Sequence, residues 1–176
     1  GAGGSGTVMQ DNVAVGYRSL YTNTTGGLNV AVGRIAMCSN TTGAENVAVG
    51  RNALHTNTTG SSNIAIGVNA LNVNTTAAGN TAVGAIALAA NTTGASNTAI
   101  GFQSACRTTE GNYNISVGSN SLKLNTTGDC NTAIGKDALE STTTGDNNHG
   151  FGFAACSSSA TVSHEITLGN ANNNNL

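Results

Sequence analysis

Proline and tryptophan are absent from this chain, only 8% of its 176 residues are charged and 3% are aromatic. Leu, Ile, Val and Phe are too sparse for a conventional globular core, while Gly, Asn, Thr and Ala dominate. Such a makeup alone suggests disorder, but disordered chains of this kind carry high net charge or proline. A formal net charge of −2 leaves no electrostatic footprint for nucleic acid or an anionic membrane. No apolar run approaches the roughly 18–20 residues of a membrane span, and nothing resembles a signal peptide. We expect neither nucleic-acid binding nor membrane insertion. The chain opens GAGGSGTV and ends NANNNNL, and we read it as a segment of a longer polypeptide.

Order must come from repetition. The glycine closing an Asn-x-Ala-x-Gly motif recurs every seventeen residues, at Gly16, Gly33, Gly50, Gly67, Gly84, Gly101, Gly118, Gly135 and Gly152, with a degenerate copy at Gly169. A fixed period in this range means stacked small units, none able to bury its apolar face alone. Counting the motif Asn as position 1, the average repeat reads N-[VIT]-A-[VI]-G-x-x-[AS]-[LM]-x-x-N-T-T-G-x-x.

Alternation at positions 2 and 4 is a strand signature. It predicts that Val13, Val15, Val30, Val32, Val47, Val49, Ile64, Ile66, Val83, Ile100, Val117 and Ile134 face the interior. The Leu of position 9 (Leu20, Leu54, Leu71, Leu88, Leu122, Leu139; Met37 in one copy) joins them. The opposite face, made of Asn, Ala and Gly, permits close approach of another backbone. NTTG in nearly every copy excludes long helices. Its glycine at position 15 is the simplest source of a positive-φ turn. Two short strands and two turns then form a coil. The fold expected is all-β, a parallel β-solenoid or β-roll of 17-residue coils in a homotrimeric fibre. Residues 1–11 are a lead-in, 12–147 the regular repeats, and 148–176 atypical terminal coils.

Stacking places like over like, so Asn12 through Asn148 form one column and Asn23, Asn40, Asn57, Asn74, Asn91 and Asn125 another. Stacked Asn side chains can bond along the axis and satisfy turn backbone groups. That reading outweighs glycosylation for the NTT sequons, which stand one coil apart, ~4.8 Å, too close for a glycan on every rung. Paired threonines at positions 13 and 14 point opposite ways in extended backbone, so only one column could form an outward array of the ice-binding kind.

Chemistry has little to work with. His55, His149 and His164 occupy different repeat positions, the acidic residues are scattered, and no metal spacing, carboxylate pair or Ser-His-Asp context stands out. We expect no enzyme, no cofactor and no metal, and no receptor-binding residue is identifiable. Cys38 and Cys106 share position 10 but lie four repeats, ~19 Å, apart, beyond the ~7 Å limit of a disulfide. Cys130 and Cys156 sit at unlike places around the coil. Free thiols fit assembly in a reducing cytoplasm better than export.

The units NVAVGYRSL, NVAVGRNAL and NTAIGKDAL, alternating with NTTG, resemble repeats of phage tail fibres. The closing HEITLGNANNNNL resembles the segment leading into their endosialidase-type intramolecular chaperone domain. The repeat is also similar to the S-V-A-I-G-x-x-S-x-A unit of trimeric autotransporter adhesin heads, which are three-chain parallel β-rolls. The resemblance spans residues 11–169. It implies a structural, receptor-binding segment of a virion tail fibre that mediates host-surface attachment. Its partners would be two further copies, other tail-fibre or baseplate proteins, and a host-surface receptor of glycan type. The rival reading is a bacterial surface adhesin head or extracellular filament subunit on the same repeat. Departures are the extra NTTG turn, the sixth repeat (Ala105 for Leu, then Cys106-Arg107-Thr108-Thr109-Glu110), and Phe151 and Phe153 in the ninth. Trimerisation is expected through the small-residue face, with position 6 (Tyr17, Arg34, Arg51, Val68, Ala85, Phe102, Ser119, Lys136) turned outward.

Overall fold

A computed structural model of the chain describes residues 11–170. Most of the lead-in and the end of HEITLGNANNNNL lie outside the described residues. Each coil contributes one three-residue strand at repeat positions 2 to 4. These are β1 (Val13–Val15), β2 (Val30–Val32), β3 (Val47–Val49), β4 (Ile64–Ile66), β5 (Thr81–Val83), β6 (Thr98–Ile100), β7 (Ile115–Val117), β8 (Thr132–Ile134), β9 (His149–Phe151) and β10 (Ile166–Leu168). They form a single parallel sheet in sequence order. Every residue pairs with its equivalent one repeat on, as Val47 does with Ile64 and Ala48 with Ala65. The chain is an all-β solenoid, and nine steps of ~4.8 Å make the stack roughly 43 Å long.

The expected second strand does not form. Positions 5 to 17 are turns, bonded along the axis by backbone groups such as Leu54 N–H to Ala70 C=O (3.0 Å) and Thr41 N–H to Thr58 C=O (2.9 Å). A threonine ladder reinforces the latter line, with Thr41 Oγ1 donating to the Thr58 carbonyl at 2.9 Å.

The strand faces are the reverse of the sequence expectation. The position 3 residues Ala31, Ala48, Ala65, Ala82, Ala99 and Ala133 are fully buried, whereas Val13, Val15, Ile64, Ile66, Ile100, Ile115 and Ile134 are exposed. Val30, Val32, Val47, Val49, Val83 and Val117 are intermediate. The cause is the width of the coil. Its interior already holds the position 8 Ala or Ser of each turn and, in most coils, the position 9 Leu, which join the strand alanines in one continuous cluster. Only a methyl group fits opposite them. At Gly150, which replaces that alanine in β9, an added Cβ would meet Leu139 Cγ at 2.7 Å. In the ninth coil Leu139 thus takes up the space that the alanine methyl fills in most other strands.

Backbone geometry corrects the turn assignment too. The position 15 glycines, such as Gly43, do not have positive φ; Ala77 and Val162 occupy that place in two coils. Positive φ falls on the position 5 glycine, at 127–139° from Gly16 to Gly135. It also falls on ordinary residues at positions 7, 9 and 17. The position 9 side chains from Leu20 to Leu139 all sit at φ 46–50°. Left-handed backbone costs an L-residue about 1–2 kcal/mol, which only repeated stacking on both sides can offset.

Both Asn columns are buried and bonded. Asn46 accepts the Asn63 N–H at its Oδ1 (2.9 Å). Its Nδ2 donates to the Gly60 carbonyl (2.9 Å). In the second column Asn40, Asn57, Asn74 and Asn91 each donate Nδ2 to the Oδ1 one coil back, at 2.8–3.0 Å. Thr108 interrupts it. Asn91 Oδ1 is left buried without a partner, and Asn125 Nδ2 reaches Thr108 Oγ1 only at 3.4 Å. Thr108→Asn should restore both rungs and raise stability by about 1–2 kcal/mol. In a thermal melt that is a rise of roughly 2–8 °C for a chain of this size. A lowered melting temperature would mean the column does not stabilise as described.

Candidate interaction surface

The outward side of the sheet is a stripe of Val, Ile and Thr at positions 2 and 4. It runs the length of the stack and is about 7 Å wide, two residues of strand. Val15 is 56% exposed, Ile66 40% and Ile100 41%. A soluble monomer places its larger apolar groups inside, and contiguous exposed apolar surface marks an interaction site. Within these strands alanine is inside, while the larger Ile64, Ile66, Ile100, Ile115 and Ile134 are exposed.

The turn after each strand carries position 6. Tyr17, Arg34, Arg51, Val68, Phe102 and Lys136 are exposed there, as the sequence predicts, while Ala85 and Ser119 are half-buried. The column gathers contacts the sequence reading does not include. The Arg18 guanidinium lies 5.4 Å from the Tyr17 ring centre and 5.1 Å from that of Tyr21. The Arg34 guanidinium lies 5.8 Å from Tyr17. The signal available was the spacing, since Tyr17, Arg34 and Arg51 are seventeen apart and must stack.

The remaining polar groups have structural uses. The sequon residues Asn23, Asn40, Asn57, Asn74, Asn91, Asn114 and Asn125 are buried, with side-chain amides bonded inside the coil, so none offers itself to a glycosyl group. Of the threonine pair, position 13 is spent on the backbone ladder and position 14 is exposed, leaving one outward column. Asp129 and Asp146 accept turn N–H groups one coil back, from Asn112 (2.6 Å) and Asp129 (2.8 Å).

A buried hydroxyl cluster in the sixth and seventh coils joins Ser104, Ser116 and Ser121. Ser104 Oγ is 2.7 Å from Ser116 Oγ, which is 2.6 Å from Ser121 Oγ. Its hydrogen-bond partners are serine hydroxyls and backbone carbonyls, with no His, Lys or carboxylate among them. Among the described residues no three His, Cys, Asp or Glu converge as metal ligands. The four cysteines are free. Burial pushes the Cys106 thiol up, and burial with the Glu140 and Asp137 carboxylates does the same for Cys156. Both thiols are held protonated and poorly nucleophilic. Asp137 is lowered by its hydrogen bonds from Lys136 and Asn120.

An open groove of about 520 Å³ lies at the last of the described coils, between Ala154, Cys156 and Thr167–Asn170. No protein-family model, curated protein or solved structure matches the chain.

Proposed function

We propose that the chain is a shaft-forming segment of a phage tail fibre, in which three copies associate in parallel and present their turns to a host surface. One observation carries the reading: the strands turn alanine inward and Val, Ile and Thr outward along the sheet, with Val15, Ile66 and Ile100 exposed. A stripe with a ~4.8 Å repeat matches copies of itself in register along its whole length. Three chains about one axis bury all three stripes. The face that associates is thus the Val/Ile face, not the small-residue face that the sequence suggested, because the small residues are already used within each coil. Free cysteines support assembly in a reducing compartment. The resemblance of the repeat to tail fibres supplies the virion setting, the baseplate or fibre partners and the attachment role.

Charges on the stripe test this. Ile66→Asp with Ile100→Asp places two carboxylates at solvent in the single chain but in the dry centre of the proposed trimer, where unpaired charge is expensive. The double variant should retain β circular dichroism and sediment as a monomer. A variant that remains oligomeric would remove this face from the interface.

A further inference from the structure

We propose that the first three coils hold a binding site for a carboxylate-bearing sugar, built from Tyr17, Arg18, Tyr21, Arg34 and Arg51. It deepens the attachment role proposed above and rests on that reading for the origin of its ligand. Backbone bonds fix the frame: Ile35 N–H to Tyr17 C=O at 2.8 Å and Asn52 N–H to Arg34 C=O at 3.2 Å hold the three position 6 residues in one column. Two coil steps make that column about 10 Å long.

The Arg18 and Arg34 guanidiniums share the Tyr17 ring, 5.4 and 5.8 Å from its centre, and Arg51 follows one coil on in the column. The ion pairs among the described residues are Lys123–Glu140 and Lys136–Asp137, and neither includes an arginine. Asp11 and Glu45, the acidic residues of these coils, stand at position 17 on the other side of the strand. Like charges this close repel unless an anion lies between them. A guanidinium stacked on a ring uses its face and keeps its N–H fork free, and that fork matches a planar carboxylate with two parallel bonds. Tyr17 is 57% exposed and Tyr21 45%, which leaves ring surface for the apolar C–H face of a sugar.

The rest of the rod limits the ligand. From residue 107 onward the chain carries Arg107, Lys123 and Lys136 against Glu110, Asp129, Asp137, Glu140, Asp146 and Glu165. Beyond Arg51 the position 6 column carries Val68, Ala85, Phe102 and Ser119 before Lys136, so a long polyanion laid along it meets no further cation there for four coils. The site fits a short acidic oligosaccharide or the end of a chain, and disfavours a nucleic acid.

Calorimetric titration of the purified protein with trigalacturonate, maltotriose and a short single-stranded oligonucleotide tests the assignment. Trigalacturonate should bind at least tenfold tighter than maltotriose, weaken as salt rises, and lose at least tenfold in Arg18→Gln with Arg34→Gln. Tyr17→Ala should weaken it further. All these side chains are exposed, so unchanged circular dichroism and sedimentation establish that the variants fold. Absent binding, equal binding of maltotriose, tighter binding of the oligonucleotide, or affinity retained in the double arginine variant would each overturn the proposal. A trimer that binds no acidic sugar removes the site and leaves the shaft. A monomer that binds it removes the shaft and leaves the site.

Discussion

Gly67→Ala should destabilise the protein by on the order of 3–5 kcal/mol. Gly67 has φ of +136°, a region open essentially to glycine, and its added Cβ would lie 2.6 Å from the Gly84 carbonyl carbon and 3.0 Å from Ala85 N. Backbone cannot rotate away as a side chain can. The Gly67 N–H also bonds Val49 C=O at 2.8 Å, so displacement breaks the stack on both sides. In a solenoid each coil is stabilised by its neighbours alone, and one fault weakens two interfaces. Gly79→Ala is the matched control. Gly79 has φ of +71° and its nearest foreign atom, Ser96 Oγ, would be 3.5 Å from the new Cβ. Its equivalents in neighbouring coils, Ser62 and Ser96, already take φ of 57°. That variant should stay within about 1 kcal/mol of the parent. Denaturant unfolding of the two variants compares them, and equal stabilities would mean the coils are not packed as closely as described.

Asn63→Ala should cost about 2–4 kcal/mol, although Asn63 is polar and no active group. Its Oδ1 accepts the Asn80 N–H at 3.0 Å. Its Nδ2 donates to Asn46 Oδ1 (3.1 Å) and to the Ala77 carbonyl (2.9 Å). Alanine leaves the Asn80 N–H in a dry interior without an acceptor, and it vacates volume that no neighbour can fill. The loss should appear as lowered thermal stability and as faster amide exchange at Asn80 in particular. A variant with parental exchange at Asn80 would show that the column is decoration.

The period, the strand positions and the burial of Leu54, Leu71 and their equivalents were legible in the sequence, because a fixed repeat forces like residues to stack. So were the two Asn columns and the outward position 6. The orientation of the strands was not. Alternation of Val47, Ala48 and Val49 marks two faces without saying which is inside, and the usual preference for larger apolar groups in the core fails when the coil is one leucine wide. The left-handed residues were hidden for a similar reason. Leu71 or Ile86 at positive φ has no local signal, since only the stack, not the residue, favours that geometry. Of the candidate sugar site, the column of Tyr17, Arg34 and Arg51 followed from spacing. The approach of Arg18 to Tyr21 depended on the path of the turn between them.

The exposed Val/Ile stripe is proposed as the interface between three copies. Sedimentation equilibrium of the purified chain over a wide concentration range measures this directly. Three times 17.3 kDa is the mass the account predicts. A well-folded species of 17.3 kDa at every concentration would contradict it.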